Sequence, residues 1–533
     1  MRVSGLGHAG MFIETAYGSV LCDPWVYPAF FGSWFPFPDN RGLDWERYGR
    51  ADFLYVSHRH ADHFDPRLLR EVVPTSIRVL LPEYPTTDLE DDLRALGYDN
   101  FVFTHAGQPF EIDGLRMMIT PLRGPGDGPI GDSALSVDDG TAVLLNQNDS
   151  HPLDVAKIRE FGEVDLYSMQ FSGAIWWPMV YDLPVAAKQK FAELKRASQS
   201  KRTLYYIDQV QPRHVFPMAG PPAFYDPELF AANGWGADDT SIFTDQRQFL
   251  RELAVERPGL QGHFFLPGTV VEAGDGACSV AQEMYDDAAI ERIFGDKWGY
   301  LLEQQAERIG EVEAEKASRA QIPDDMGEQL KQWWEPLMKR APYLCDSIGA
   351  QVRFTIEEAA DLVLDFPARE VRPYDGESVR YWFSTEADLV ATNLARREID
   401  WSNSLFLSMR FSASRIGKFN EYLYTFFKCL SLDRIDYVEN WYSEQSDTGE
   451  DIAIDGWIVQ RRCPHLHADL AQFGSTEGTV LTCGLHNWKF DLESGQCLTS
   501  RGHEIRARRR AQDPTPAEDS GVRSDAAGPA TLA

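Results

Sequence analysis

Two short stretches of this sequence carry residue types and spacings able to bind metal. The first is Ser57-His58-Arg59-His60-Ala61-Asp62-His63. His58 and His60 are two apart and can point to one metal, and Asp62 and His63 can serve a second beside it. Imidazole together with carboxylate suits zinc or iron. The second stretch is split: Cys463-Pro464-His465, then Cys483-Gly484-Leu485-His486, with seventeen residues between His465 and Cys483. Two thiolates and two imidazoles make a set that a structural zinc or an iron–sulfur cluster accepts.

These residues need rigid supports. Phe53-Leu54-Tyr55-Val56 is an apolar run that reads as a buried strand. A strand ending in a sharp polar loop holds ligands firmly at a sheet edge. Asp65 then caps a helix over 66–73 with Pro66 in its first turn. A strand over 77–81, a helix over 87–96 and paired strands over 101–104 and 109–120 continue an α/β alternation. A further strand, Thr141 to Asn148, runs into Asp149. Residues 25–38 hold Trp25, Tyr27, Phe30, Phe31, Trp34, Phe35 and Phe37 among three prolines. They read either as a lid or pocket wall beside the metal or as a packed aromatic cluster. Residues 279–317 read as one or two helices, 325–340 as another and 420–432 as an aromatic amphipathic helix. Strands are expected over 351–356, 360–366 and 380–384, with a helix over 387–395.

The 533 residues exceed one core, and 82 acidic against 51 basic residues give a formal charge of −31. That charge excludes nucleic acid and anionic lipid as expected partners. No apolar run is long enough to span a bilayer, and the N-terminus lacks a signal-peptide pattern. Seven scattered cysteines argue against a disulfide framework and fit a reducing cytoplasm.

His58-x-His60-x-Asp62-His63 resembles the signature of the metallo-β-lactamase superfamily at all four positions. The opening hairpin, with Gly7-His8 and then Asp23-Pro24-Trp25, resembles lactonase-like members, which puts His8 either near the metals or in a hydrogen bond that orients the ligand loop. The resemblance makes Asp149 the carboxylate that touches both metals. Two departures stand out. The loop 121–129 has no His where the family carries its third first-site imidazole, and Ala219, after Pro217-Met218, stands where its last His is expected. His8, Asp127, His151, His214 and His263 are the residues able to compensate. Fewer nitrogen ligands shift the expectation from a hydrolytic zinc pair toward oxygen-activating iron, one ion or two.

Cys463-x-His465 with Cys483-x-x-His486 resembles the Rieske [2Fe–2S] domain, as do the flanks Ile454-Asp455-Gly456-Trp457 and Asn487-Trp488-Lys489-Phe490. No His occurs between His263 and His465, so an iron needing two imidazoles cannot be built in the middle of the chain. A Rieske cluster moves single electrons and needs a consumer, and the only other metal site is the first one. This pairing of domains is similar to the CMP-N-acetylneuraminate hydroxylase family, with the domain order changed.

The fold expectation is therefore multidomain α/β. Residues 1–275 form a metallo-β-lactamase-like αββα sandwich, and 276–450 a helical and α+β module of weakly sterol-carrier-like order. Residues 451–505 form an all-β Rieske domain and 506–533 a disordered tail. The function expected is a Rieske-dependent non-haem iron monooxygenase using O₂, with iron at His58, His60, Asp62, His63 and Asp149. Its substrate would be the C–H or amine N of a small polar molecule, a sugar-nucleotide or natural-product intermediate. Electrons would come from an external reductase, ferredoxin or cytochrome b5-like donor, and a homo-oligomer is compatible. Arg123, Trp176 and Trp177 are candidate substrate contacts. The alternatives are a zinc hydrolase with a Rieske regulatory domain, and an electron carrier or redox sensor.

Overall fold

The computed structural model describes residues 1–125, 130–234, 239–443, 449–485 and 487–510. Two sheets face each other in the first part of the chain. One has eight strands in the order Ala277–Gln282, Thr269–Gly274, Arg2–Gly7, Gly10–Thr15, Gly18–Cys22, Phe53–Tyr55, Arg78–Leu81, Phe101–Phe103. The other has seven: Gln261–Gly262, His214–Met218, Leu166–Gln170, Val143–Asn148, Asp132–Asp138, Leu115–Leu122, Phe110–Ile112. Val3, Met11, Val20 and Phe53 from one sheet meet Met117, Leu135, Leu144 and Phe216 from the other in a shared core. Helices cover both outer faces. Leu68, Leu69, Leu89 and Leu93 pack on the outside of the first sheet. Ile158, Tyr206, Ile207, Phe249 and Leu253 pack on the outside of the second. This is the expected αββα sandwich of the metallo-β-lactamase fold.

The sheet extends past residue 275. The segment 279–282, expected as the start of a helix, is strand, because Gly274 pairs with Ala277 across Asp275-Gly276. Both turn residues have positive φ, 49° and 79°, the backbone of a two-residue hairpin turn. Asp113-Gly114 makes the same turn within the segment expected as one strand over 109–120, with Ile112 opposite Leu115. Helices follow only at Asp287–Gly295 and Lys297–Ala317, packed on Phe35, Phe37 and Tyr225 of the sandwich.

The middle module has a five-stranded sheet in the order Glu370–Pro373, Ala360–Asp365, Gln351–Ile356, Tyr381–Thr385, Phe411–Arg415. Its central strand alternates strictly, with Val352, Phe354 and Ile356 buried, and helices Met326–Arg340, Ala387–Arg396 and Glu421–Lys428 cover that face. The segment expected as one helix over 420–432 stops at Lys428, where the Phe427 carbonyl accepts Trp401 N–H and Leu430 N–H turns to the Ile399 carbonyl. A second helix, Leu432–Ser443, starts after that break.

The aromatic loop 25–34 is packed. Trp25, Phe30, Phe31 and Trp34 lie in one buried cluster with Trp333, Trp334, Trp401 and Phe406 of the middle module. Its proline-rich backbone leaves side chains free to fill that interface. The C-terminal module has two three-stranded antiparallel sheets, Asp451–Ile454, Trp457–Gln460, Ala507–Arg509 and Gly474–Glu477, Val480–Cys483, Trp488–Asp491. Its core merges with the helices outside the second sheet. The tail expected to be disordered from residue 506 begins ordered, because Ala507–Arg509 pairs with Trp457–Gln460 and completes that sheet; from residue 511 it lies outside the described residues.

Candidate metal centres

Strand Phe53–Tyr55 delivers the first ligand loop, and Asp23 fixes it. Asp23 ends the neighbouring strand at φ 42° and is fully buried. Its carboxylate accepts Ser57 N–H at 2.7 Å and the Ser57 hydroxyl at 2.7 Å, and its Oδ2 lies 3.0 Å from His63 Nδ1. Orienting one ring nitrogen with a carboxylate leaves the other, Nε2, aimed inward. The His60 carbonyl accepts the N–H groups of His63 and Phe64, closing the turn. Asp65 caps the following helix and also accepts Val26 and Tyr27 N–H, tying the aromatic loop to the ligand loop. From the middle module, Asn403 accepts Ala61 N–H and donates to the Arg59 carbonyl, both at 2.9 Å.

Inside this frame His58, His63 and Asp149 present ligand atoms within 4.8 Å of one another, and so do His8, Asp62 and His63. His8 Nε2 is 2.9 Å from Asp62 Oδ2, and His63 Nε2 is 3.6 Å from Asp149 Oδ1 and 4.0 Å from Asp62 Oδ2. His60 belongs to neither triplet, but its ring is 4.7 Å from that of His58. His58, His60 and His63 Nε2, Asp62 Oδ1 and Asp149 Oδ1 are all buried with no hydrogen-bond partner. Five such atoms together would be costly in a protein core unless they served a cation.

The electrostatics agree. Burial, and then the imidazoles of His63, His60 and His8, hold His58 well below the usual histidine range, so it is neutral and able to ligate. Burial also lowers His60. Burial alone would lower His63, but the Asp149, Asp62 and Asp23 carboxylates outweigh it and raise His63 well above that range. Burial alone would raise Asp62, but His63, His8 and His60 hold it below the ordinary carboxylate range. A pocket that keeps a proton on an imidazole has the negative field that favours a divalent ion.

The structure separates the other candidates. Asp132, which sequence reasoning passed over, begins the strand beside Val143–Asn148, and its Oδ1 is 4.0 Å from His58 Nε2. It supplies a carboxylate on the side where no family imidazole was found. The only signal was a polar residue opening an otherwise buried strand. His151, two residues from Asp149, joins neither ligand triplet, and its ring is 6.1 Å from Tyr206. His214 begins its strand, at the end opposite Asp149 in this parallel set, and pairs with His263 at 3.1 Å. Ala219, with φ 53°, donates its N–H to the His8 carbonyl. Asp127 lies outside the described residues. Trp176 is buried against Phe406, Phe411 and Tyr424. Trp177 packs on Tyr181 and Phe191 under Arg415. The Arg123 carbonyl accepts the Tyr437 hydroxyl.

In the C-terminal module Cys463 and Cys483 are each 1 % exposed, and burial followed by the adjacent Cys483 sulfur raises the Cys463 thiol. His465 stacks on Trp488 at 3.9 Å. Its Nε2 is 2.8 Å from Glu421 Oε2, and Glu421 Oε1 is 2.8 Å from His503 Nε2. With Nε2 turned to a carboxylate, Nδ1 is the nitrogen that would face iron. His486 lies outside the described residues. Of the residues outside the expected ligand set, Cys497 accepts Ser500 N–H and His467 stacks on Trp441.

A family model for the Rieske [2Fe–2S] domain matches residues 453–506, and one for the Rv3818-like, SCP2-like domain matches 326–444. A Rieske 2Fe–2S iron–sulfur protein of Mycolicibacterium smegmatis is 45% identical over 520 residues, 96% of this chain and 100% of that one. The chain belongs to this family of Rieske 2Fe–2S iron–sulfur proteins. The weak sterol-carrier-like order of the middle strands is thus a real SCP2-like domain. Another relative of this Rieske protein is the mouse cytidine monophosphate-N-acetylneuraminic acid hydroxylase, 27% identical over 233 residues, 41% of this chain and 39% of that one. Among solved structures, CmlA, a diiron β-hydroxylase from Streptomyces venezuelae, covers 53% of the Rieske protein and 54% of its own chain at 17% identity and a TM-score of 0.32. Among the described residues no helix is long and apolar enough to cross a membrane.

Proposed function

We propose that this Rieske protein is a non-haem iron monooxygenase that oxidises a C–H bond or an amine nitrogen of a small polar substrate. The observation that carries this reading is the cluster of orphaned imidazole and carboxylate atoms in the same packed body as the Rieske cysteines. A Rieske cluster passes one electron at a time and breaks no substrate bond alone, so it needs an electron consumer within reach. Iron bound by His8, His58, His60, Asp62, His63, Asp132 and Asp149, as one ion or two, would supply oxygen activation there. The likeness to the mouse hydroxylase supports hydroxylation as the reaction class.

The chain's own residues would do the rest. Asp23 and Ser57 hold the imidazole rings in one orientation, and Asn403 fixes the backbone between them. The packed aromatic loop keeps bulk water from the ligand loop. A cavity of about 410 Å³ lies between the sandwich and the SCP2-like domain, with Arg59 and Ala61 of the ligand loop in one wall and Phe30, Phe31 and Arg396 in others. Its size suits a small molecule, and a lining of three guanidinium groups and four carboxylates suits a polar one. An external reductase or ferredoxin would reload the cluster.

Iron and zinc counted per chain test this. The wild type is expected to hold iron beyond the cluster's two, and a His58→Ala, His60→Ala double variant only the cluster's. Zinc alone in the first domain would favour the hydrolase, and a first domain bare of metal would favour an electron carrier. Either result would sink the oxygenase.

A further inference from the structure

A short run of tilted and edge-on ring contacts leads from the Rieske cysteines toward the first metal centre. Gly484, inside the Cys483–His486 loop, donates its N–H to the Phe473 carbonyl at 2.6 Å. The Phe473 ring is 6.2 Å from Tyr206 and 5.2 Å from Tyr205. Tyr205 also ties the modules together, donating its hydroxyl to the Gln472 carbonyl. Tyr206 belongs to the sandwich helix Val185–Val210, and its ring is 6.1 Å from His151. Its hydroxyl donates to the Pro152 carbonyl at 3.0 Å, fixing the ring against that segment. His151 is two residues from Asp149, which faces His63. Phe473, Tyr206, Cys463 and Cys483 share one buried core, so the stretch from the cysteines to Tyr206 crosses packed atoms rather than solvent.

Tunnelling slows exponentially with distance and is slower across gaps than through packed or bonded atoms. From the cluster's other side, His465 faces Trp488 and His503 of its own domain and Glu421 of the SCP2-like domain. The Cys483 edge meets the sandwich through Gly484 and Phe473, which lies against Tyr205 and Tyr206.

Resting on the oxygenase reading, we propose that electrons pass within one chain from the Cys483 side of the cluster along Phe473, Tyr206 and His151 to the first metal centre. Each passage moves one electron. The reduced cluster loses it and returns to its oxidised form, the first-domain iron gains it, and an external reductase restores the cluster. Tyr206 and Phe473 act as conduits and bind neither metal nor substrate. This gives His151 a role that needs no metal ligation.

The full chain, with its metals counted, is reduced anaerobically and mixed with O₂, and cluster reoxidation is followed by visible absorption and freeze-quenched electron paramagnetic resonance. Wild type carrying iron in the first domain is expected to reoxidise far faster than the same chain carrying zinc there. Tyr206→Leu and, separately, Phe473→Leu should slow the iron-loaded chain at least tenfold, toward the zinc-loaded rate, with the cluster spectrum and both metal counts unchanged. Tyr206→Phe, which keeps the ring, should restore most of the rate. Wild-type rates in whichever leucine variant folds with full metal would overturn the relay while leaving the oxygenase standing. Equal loss in Tyr206→Phe would overturn the ring route in favour of the hydroxyl–Pro152 bond. Equal rates in iron- and zinc-loaded wild type would overturn the relay and the proposed function together.

Discussion

Glu421 Oε2 lies 2.8 Å from His465 Nε2, so the SCP2-like domain places a buried carboxylate against a cluster ligand of the Rieske domain. Burial alone would raise the Glu421 carboxyl, but His465 and His503 hold it below the usual carboxylate range, and it is charged. A negative charge beside a ligand favours the oxidised cluster. Glu421→Gln is expected to raise the reduction potential, by about 59 mV for each tenfold change in the relative stability of the reduced form. Redox titration followed by electron paramagnetic resonance measures it. An unchanged or lowered potential would show that the carboxylate does not act on the cluster.

Asn403→Ala removes both hydrogen bonds that the middle module makes to the ligand loop, at Ala61 N–H and the Arg59 carbonyl. Partners beyond the ligands commonly govern metal affinity by 10–100-fold, and a loss of about that size is expected in the first domain. Competition with a chelator reads the affinity. The Rieske spectrum should stay as in wild type, because the hydrogen bonds the Asn403 side chain makes among the described residues are to the ligand loop at Ala61 and Arg59.

Asp132→Asn keeps the shape of the side chain 4.0 Å from His58 Nε2 but removes its charge. If Asp132 replaces the missing family imidazole, iron per chain falls toward the cluster's two while the fold persists by circular dichroism. Full occupancy in this variant would limit the site to the residues around His63.

Asp226 joins the sandwich to the SCP2-like domain. It is fully buried, accepts from Arg410 at 2.6 Å and lies 2.9 Å from Lys316 Nζ. Burial alone would raise its pKa, but Lys316 and Arg410 outweigh that and lower it. A depressed carboxylate contributes stability fully present above its unfolded value, about 3.9. That stability is lost as pH falls through the lower folded value. Denaturant midpoints should therefore hold steady above about pH 4 with respect to this group and fall below it. Asp226→Asn should remove that contribution and cost about 3–5 kcal/mol at neutral pH, the usual range for breaking a buried ion pair. A midpoint unchanged by the substitution would count against the pair.

The sequence alone determined what local pattern encodes. His58, His60, Asp62 and His63 sit in seven residues after an apolar run, and Cys463, His465 and Cys483 follow a spacing set by one small module, so both clusters were legible without a fold. The alternation of Val352, Phe354 and Ile356 likewise fixed a half-buried strand. Short hairpins at Asp113-Gly114 and Asp275-Gly276 escaped because a two-residue turn signal was outweighed by its surroundings, an apolar run read as one strand at the first and helical composition after the second. Tertiary structure decided the rest, since it brings together residues far apart in the chain. Asp132 reaches His58, Asn403 reaches Arg59 and Glu421 reaches His465 only because sheets and domains pack face to face. No periodicity records such a contact: each depends on which strand neighbours which and on which surfaces the hydrophobic cores press together.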